Sequence, residues 1–249
     1  MTRAVVIGQS HSAAIAQALV GERASVTGIC VHRLEDRKRP YERNVITLRD
    51  AVRLVRKLPA ETRVFLSTLG TYHNIWGLLR SGQDFDFLLH PNDSPDPHAQ
   101  VRIPHRAVAS AFEHHLVKPT LIRKIQAVAN SRVFLLSTPP PKQSNEFMLD
   151  RLMKQKKQAY RGISVQDVGL ERPESRLKLW LMETRAMAKW AASEDLEFVE
   201  APRGAFDANG FLEPRFYSDA THANDKYGAL VIDQICAIVQ DGTKERVRG

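Results

Sequence analysis

The sequence holds only two cysteines, Cys30 and Cys236, and no Cys-x-x-Cys, His-x-His or His-Glu-x-x-His arrangement. A disulfide framework and the common zinc motifs are excluded on that ground. Each cysteine sits in an apolar run, which predicts a buried free thiol. No uninterrupted apolar stretch approaches the roughly 20 residues of a membrane span. Apolar residues 4–7 follow Met1-Thr2-Arg3 directly, without the layout of a secretory signal, and the expectation is a cytoplasmic protein. Nothing in the motifs calls for a cofactor or a metal.

Acidic residues are the minority, 28 against 36 basic, giving a net charge of +8, so the surface should attract anions. Aromatics are few as well, at 7%. Lys154, Lys156, Lys157 and Arg161, and the basic tail at 244–248, lack the interleaved aromatics on which single-stranded nucleic acid stacks. That disfavours a nucleic-acid partner and leaves a solvated basic face, with a polyanion site as the alternative.

What is present alternates. Apolar runs at 4–7, 24–31, 64–69, 133–137 and 196–199 predict five strands. Between them, residues 13–20, 48–58, 105–129 and 174–193 have helical spacing, with Gly21 ending the first helix and Pro119 breaking the third. A last helix follows Asn224, its buried stripe marked by Tyr227, Leu230, Val231, Ile235 and Ile238. Such alternation predicts an α/β fold: a mainly parallel five-stranded sheet covered by helices on both faces, with working residues at the C-terminal ends of the strands. Residues 1–249 read as one domain with insertions near 81–104 and 143–172. The first is crowded with Gly, Asp and Pro, and the second is polar, basic and partly helix-capable. Residues 32–44 read as a polar loop.

The chemistry-bearing residues lie at strand ends. Gly8-Gln9-Ser10-His11 follows the first strand, and Asp219-Ala220-Thr221-His222 precedes the last helix. Ser10 is either a nucleophile in the strand-to-helix turn or a turn residue, and Ser12 competes with it for the helix cap. Asp219, three residues before His222, can fix the imidazole tautomer; a turn or a share in a metal site gathered from His73 or His114 is the alternative. Gly70-Thr71-Tyr72-His73-Asn74 follows the third strand. There the Gly70 amide and the Asn74 side chain can point at an oxyanion, or Asn74 can simply cap a helix starting at Ile75.

Taken together, Ser10, then Gly70 and Asn74, then Asp219-x-x-His222 resemble the SGNH hydrolases, also called GDSL esterases and lipases. The resemblance spans nearly the whole chain and implies a flavodoxin-like three-layer sandwich that hydrolyses or transfers acyl groups, often acetyl groups of carbohydrates. It implies Ser10 as nucleophile, His222 as general base and then acid, Asp219 as its orienting partner, and an oxyanion hole from the Ser10 amide, Gly70 and Asn74. Gly8-Gln9-Ser10 departs from the family's Gly-Asp-Ser, and the separate oxyanion glycine after the second strand has no counterpart between Gly28 and Gly70.

The expected substrate is a small-molecule or carbohydrate ester. The competing reading is a non-catalytic glycan- or polyanion-binding module on the same fold. A nucleotide-binding enzyme, suggested by Val5-Val6-Ile7-Gly8, is disfavoured because the later glycines of that fingerprint are missing.

Overall fold

A computed structural model describes residues 3–19, 26–35, 44–80, 82–90, 92–116, 120–154, 159–160 and 162–248. In chain order the first half comprises β1 (Ala4–Gly8), α1 (Ser12–Ala18), β2 (Ile29–Leu34), β3 (Val45–Ile46), α2 (Leu48–Arg56), β4 (Arg63–Ser67), α3 (Tyr72–Gly77), β5 (Phe85–Asp86), β6 (Val101–Arg102) and α4 (His105–Leu116). The second half comprises α5 (Thr120–Gln126), β7 (Val133–Leu136), α6 (Asn145–Met153), β8 (Ala159–Tyr160), β9 (Ile163–Ser164), α7 (Val165–Val168), α8 (Pro173–Ser193), β10 (Glu197–Val199) and α9 (Asp225–Arg248).

Six strands form one parallel sheet in the order β10-β7-β4-β1-β2-β3. Five of them match the expected strands in the flavodoxin-like order 2-1-3-4-5, and the two-residue β3 adds an outer edge. Side chains alternate with the period of two that a strand imposes. Val5, Ile7, Val64, Leu66, Val133 and Leu135 pack with α2, α4, α5 and α8. Ala4, Val6, Phe65, Phe134 and Leu136 pack with α1 and α9. Burial on both faces is why these strands read as unbroken apolar runs rather than as alternating ones.

Three expectations change. The second strand begins at Ile29 rather than at 24 and runs on to Leu34; Val26 is helical and 78% exposed. The ladder to β1 continues through Ile7 with His32 and Gly8 with Arg33, so backbone pairing carries the strand into residues whose polarity suggested a loop. Cys30 is exposed, not buried: it lies on the opposite face of β2 from the buried Ile29 and Val31, and Cys236 is only partly buried. The insertions also carry structure. Residues 81–104 include the small parallel pair β5–β6, and 143–172 include α6, the antiparallel pair β8–β9 and α7. Gly21, Pro119 and the basic residues Lys156, Lys157 and Arg161 lie outside the described residues.

Candidate active site

β1 and β4 leave the sheet side by side where the strand order reverses, the place at which open α/β sheets gather ligands. The turn after β1 is tied to the end of β4 by a hydrogen bond from the Gln9 amide to the Ser67 carbonyl, 3.0 Å. Ser10 is half-buried in this turn. Ser12, expected as a helix cap, lies inside the first turn of α1 and donates its hydroxyl to the Gln9 carbonyl at 2.6 Å. Among the described residues, neither the Ser10 hydroxyl nor the Ser10 amide donates to any acceptor.

His222 sits in a short loop that its own backbone closes. The Ser218 amide donates to the His222 carbonyl at 3.2 Å, and Tyr217 pairs with Ala223. Asn224 secures the exit: its side-chain amide donates to the Arg215 and Tyr217 carbonyls at 2.8 and 3.2 Å, and its oxygen accepts from the Lys226 and Tyr227 amides that open α9. Inside the loop, Asp219 Oδ1 accepts from the Thr221 and His222 amides, both at 2.8 Å. Asp219 Oδ2 faces His222 Nδ1 at 2.8 Å. Burial alone would raise the Asp219 pKa, but the hydrogen bond and charge of His222 and the two amides outweigh it and hold the carboxyl well below the usual range. An ionised carboxylate only accepts, so the neutral ring carries its proton on Nδ1 and offers a lone pair at Nε2.

His11 joins the two ends of the chain. Its ring lies 5.2 Å from that of His222, tilted by 53°. Burial pushes its pKa down to about 3, and the neighbouring His222, His73 and Lys142 add to this. Ser10 is thus carried to the His222 side of the fold by the residue next to it, although the Ser10 hydroxyl and His222 are not hydrogen-bonded to each other.

Gly70 has φ of +90°, and a Cβ there would stand 2.7 Å from Thr138 Cγ2 and 3.1 Å from Met187 Sδ, so only glycine fits the turn. Its amide also donates to no acceptor among the described residues. Asn74 is not the cap of a helix starting at Ile75. α3 begins three residues earlier, at Tyr72, and Asn74 lies inside it, 8% exposed. One turn further on, Leu78 shares a small apolar cluster with Ala220, which puts Asn74 on the side of α3 that faces the His222 loop.

Two further groups belong to this region that the motifs did not mark. Lys142, 3% exposed, donates its ammonium to the His222 carbonyl at 2.9 Å. Its own carbonyl accepts from the buried Arg176 at 3.0 Å. Burial pushes the Lys142 pKa down to about 8; Asp219 opposes the shift and Arg176 adds to it. His73, weighed above only as an isolated metal ligand, instead bonds Glu183 through Nδ1 at 2.7 Å. Each link joins residues 80 or more positions apart, and His73 stands next to a motif residue, which was the one available signal.

A cavity of about 460 Å³ opens beside the turns, lined by Gln9, Gly70, Thr71, Tyr72, Ile75 and His115. A second of the same volume lies within the first insertion, between Phe87, Leu89, Ile103 and Pro104, and holds none of the motif residues. Among the described residues no helix is long and apolar enough to cross a membrane.

No family model matches the chain, and no curated protein matches it. Among solved structures it is similar to the periplasmic domain of a lipopolysaccharide acetyltransferase from Salmonella ser. Paratyphi A, at 13% identity and a TM-score of 0.48 over 96% of this chain and 84% of that one. It is also similar to a GDSL-like lipase from Bacteroides thetaiotaomicron, at 12% identity and a TM-score of 0.47 over 97% and 89%. A third is a carbohydrate acetylesterase from Sinorhizobium meliloti, at 13% identity and a TM-score of 0.43 over 96% and 99%. These likenesses are remote, and the chemistry of the site rests on its own residues.

Proposed function

We propose that the chain is a serine esterase or acyltransferase acting on an O-acyl ester through an acyl-enzyme on Ser10. The observation that carries this reading is the Asp219–His222 pair, packed through His11 against the turn that bears Ser10. In the reaction, Ser10 Oγ attacks the ester carbonyl while His222 Nε2 takes the hydroxyl proton, and the charge built on the carbonyl oxygen meets the Ser10 and Gly70 amides and the Asn74 side chain. The tetrahedral adduct collapses, its bond to the alcohol oxygen breaks, and His222 returns the proton to that oxygen. A water or an acceptor hydroxyl then gives its proton to His222 and attacks the acyl carbonyl; the second adduct breaks its bond to Ser10 Oγ, which takes that proton back from His222. Asp219 stays ionised throughout and steadies the imidazolium.

Rapid labelling by a fluorophosphonate, followed by peptide mapping, tests the reading, because only an activated serine reacts quickly. Adduct on Ser10 that disappears in His222→Ala supports it. A folded protein that takes no adduct favours the binding module instead, and retained glycan binding without ester turnover would then define that module. The acyl group and the acceptor, a carbohydrate hydroxyl among them, are read out by substrate profiling once Ser10 is established.

A further inference from the structure

The long helix α8 presents Leu179, Glu183 and Met187 in one column, each a turn from the next. Leu179 and Met187 belong to the main core, and the position between them, packed to 2% exposure, is a carboxylate. An apolar residue would fill such a place at no desolvation cost, whereas a buried carboxylate needs every oxygen satisfied. Among the described residues, all the hydrogen bonds of the Glu183 carboxylate go to one turn. Oε1 accepts from the Tyr72 amide at 2.9 Å, and Oε2 accepts from the His73 amide at 3.0 Å and from His73 Nδ1 at 2.7 Å. The ring it holds is itself 2% exposed.

The column runs along the segment that carries the proposed oxyanion donors. Met187 limits the space at Gly70, Glu183 binds Tyr72 and His73, and Leu179 packs where Gly77 has no side chain. The Gly70 amide lies two residues before the clamped pair, and Asn74 lies one residue after it. We propose that Glu183 is a positioning residue for the reaction at Ser10: through Tyr72 and His73 it fixes the turn at 70–74 so that the Gly70 amide and the Asn74 side chain meet the acyl oxygen. This role rests on the reading of Ser10, Gly70 and Asn74 given above. Donors held in place before charge develops contribute most, so loosening their support lowers kcat more than it weakens substrate binding.

The test is a cycle of Glu183→Gln, Asn74→Ala and the double variant, assayed with p-nitrophenyl acetate. Asn74→Ala is expected to lower kcat about 10²- to 10³-fold, the scale of an oxyanion-hole deletion, and Glu183→Gln at least about tenfold, each with KM within about threefold. The double variant is expected within about threefold of Asn74→Ala alone, since groups that act as one unit are not additive. Glu183→Gln with a kcat within about threefold of the parent, or a double loss equal to the product of the singles, overturns the proposal. If Glu183→Gln does not fold, His73→Asn, which keeps both amide bonds and removes only the ring, goes through the same cycle under the same criteria. Ser10→Ala separates the two possible failures. Turnover surviving in Ser10→Ala removes the nucleophile itself, whereas turnover lost there beside a multiplicative cycle removes only the role of Glu183.

Discussion

The Asp219 carboxylate grips His222 twice, Oδ2 on the ring Nδ1 and Oδ1 on the backbone amide, each at 2.8 Å. Ring orientation and loop shape therefore depend on one side chain. Asp219→Asn keeps the size but can turn an NH₂ toward Nδ1, which favours the tautomer with its proton on Nε2 and removes the lone pair that Ser10 requires. Loss of kcat by about 10³- to 10⁴-fold is expected, the scale seen when a triad carboxylate is neutralised, with KM little changed. Steady-state kinetics check it, and an Asp219→Asn enzyme within tenfold of the parent would show that Asp219 only shapes the loop.

His11 gives the fold an acid weakness. Its pKa falls from an ordinary 6.5 to about 3 in the folded chain, so between those values the unfolded chain binds more protons than the native one, and stability is lost as pH falls through that window. His32, lowered by burial, acts in the same direction. His11→Gln removes the larger contribution. The drop in Tm between pH 7 and pH 4 should be smaller in the variant than in the parent; equal drops would mean that His11 is protonated in the native state at pH 4.

Much of the fold was legible because the sheet is buried on both faces. Runs such as Val5-Val6-Ile7 and Val133-Phe134-Leu135-Leu136 have no polar face to blur them. β2 was misplaced at both ends: the apolar Val26 belongs to a helical segment before it, and the polar His32 and Arg33 are kept in the strand by the ladder to β1. In the candidate site, the Asp219–His222 contact was legible since it is local, three residues apart, and the place of Ser10 in the turn after β1 because the apolar run marks that strand. His73 with Glu183 is 110 residues apart and Lys142 with His222 is 80 apart, and such contacts exist only once the helices have docked. The alternative reading of Asn74 as a cap fails because α3 already starts at Tyr72, where Glu183, a residue of another helix, accepts from the Tyr72 and His73 amides.

The packing of α1 on α9 makes a sharp stability prediction. A Cβ on Gly228 would lie 2.0 Å from the Ala14 carbonyl oxygen and 2.4 Å from its carbon, both backbone atoms that cannot swing aside. Gly228→Ala forces the two helices apart and should cost at least about 1–3 kcal/mol, the range for overpacking. Gly204→Ala is the control, its nearest neighbour being Leu230 Cδ1 at 3.9 Å. Urea midpoints measure both, and equal midpoints would mean that the helices separate freely.

Lys142 separates positioning from stability. Its ammonium is buried and donates to the His222 carbonyl, so it restrains the loop independently of Asp219, which holds the ring and the amide. Among the described residues, no salt-bridge partner of Lys142 is left unpaired by an apolar chain of similar length, and the desolvation cost of its charge disappears with it. Lys142→Met should therefore keep or raise Tm while lowering kcat/KM about tenfold, as the His222 carbonyl loses one of its two donors, the other being the Ser218 amide. The pH dependence supplies a second check. With the folded pKa near 8 against an ordinary 10.5, the unfolded chain binds more protons between those values, and deprotonation of Lys142 adds stability as pH rises through that window. The Lys142→Met protein lacks this gain, so its Tm relative to the parent should fall between pH 8 and pH 10. A Tm difference that stays constant over that range would mean that Lys142 keeps its ordinary pKa, and a lowered Tm at pH 7 with unchanged kcat/KM would make it a structural anchor alone.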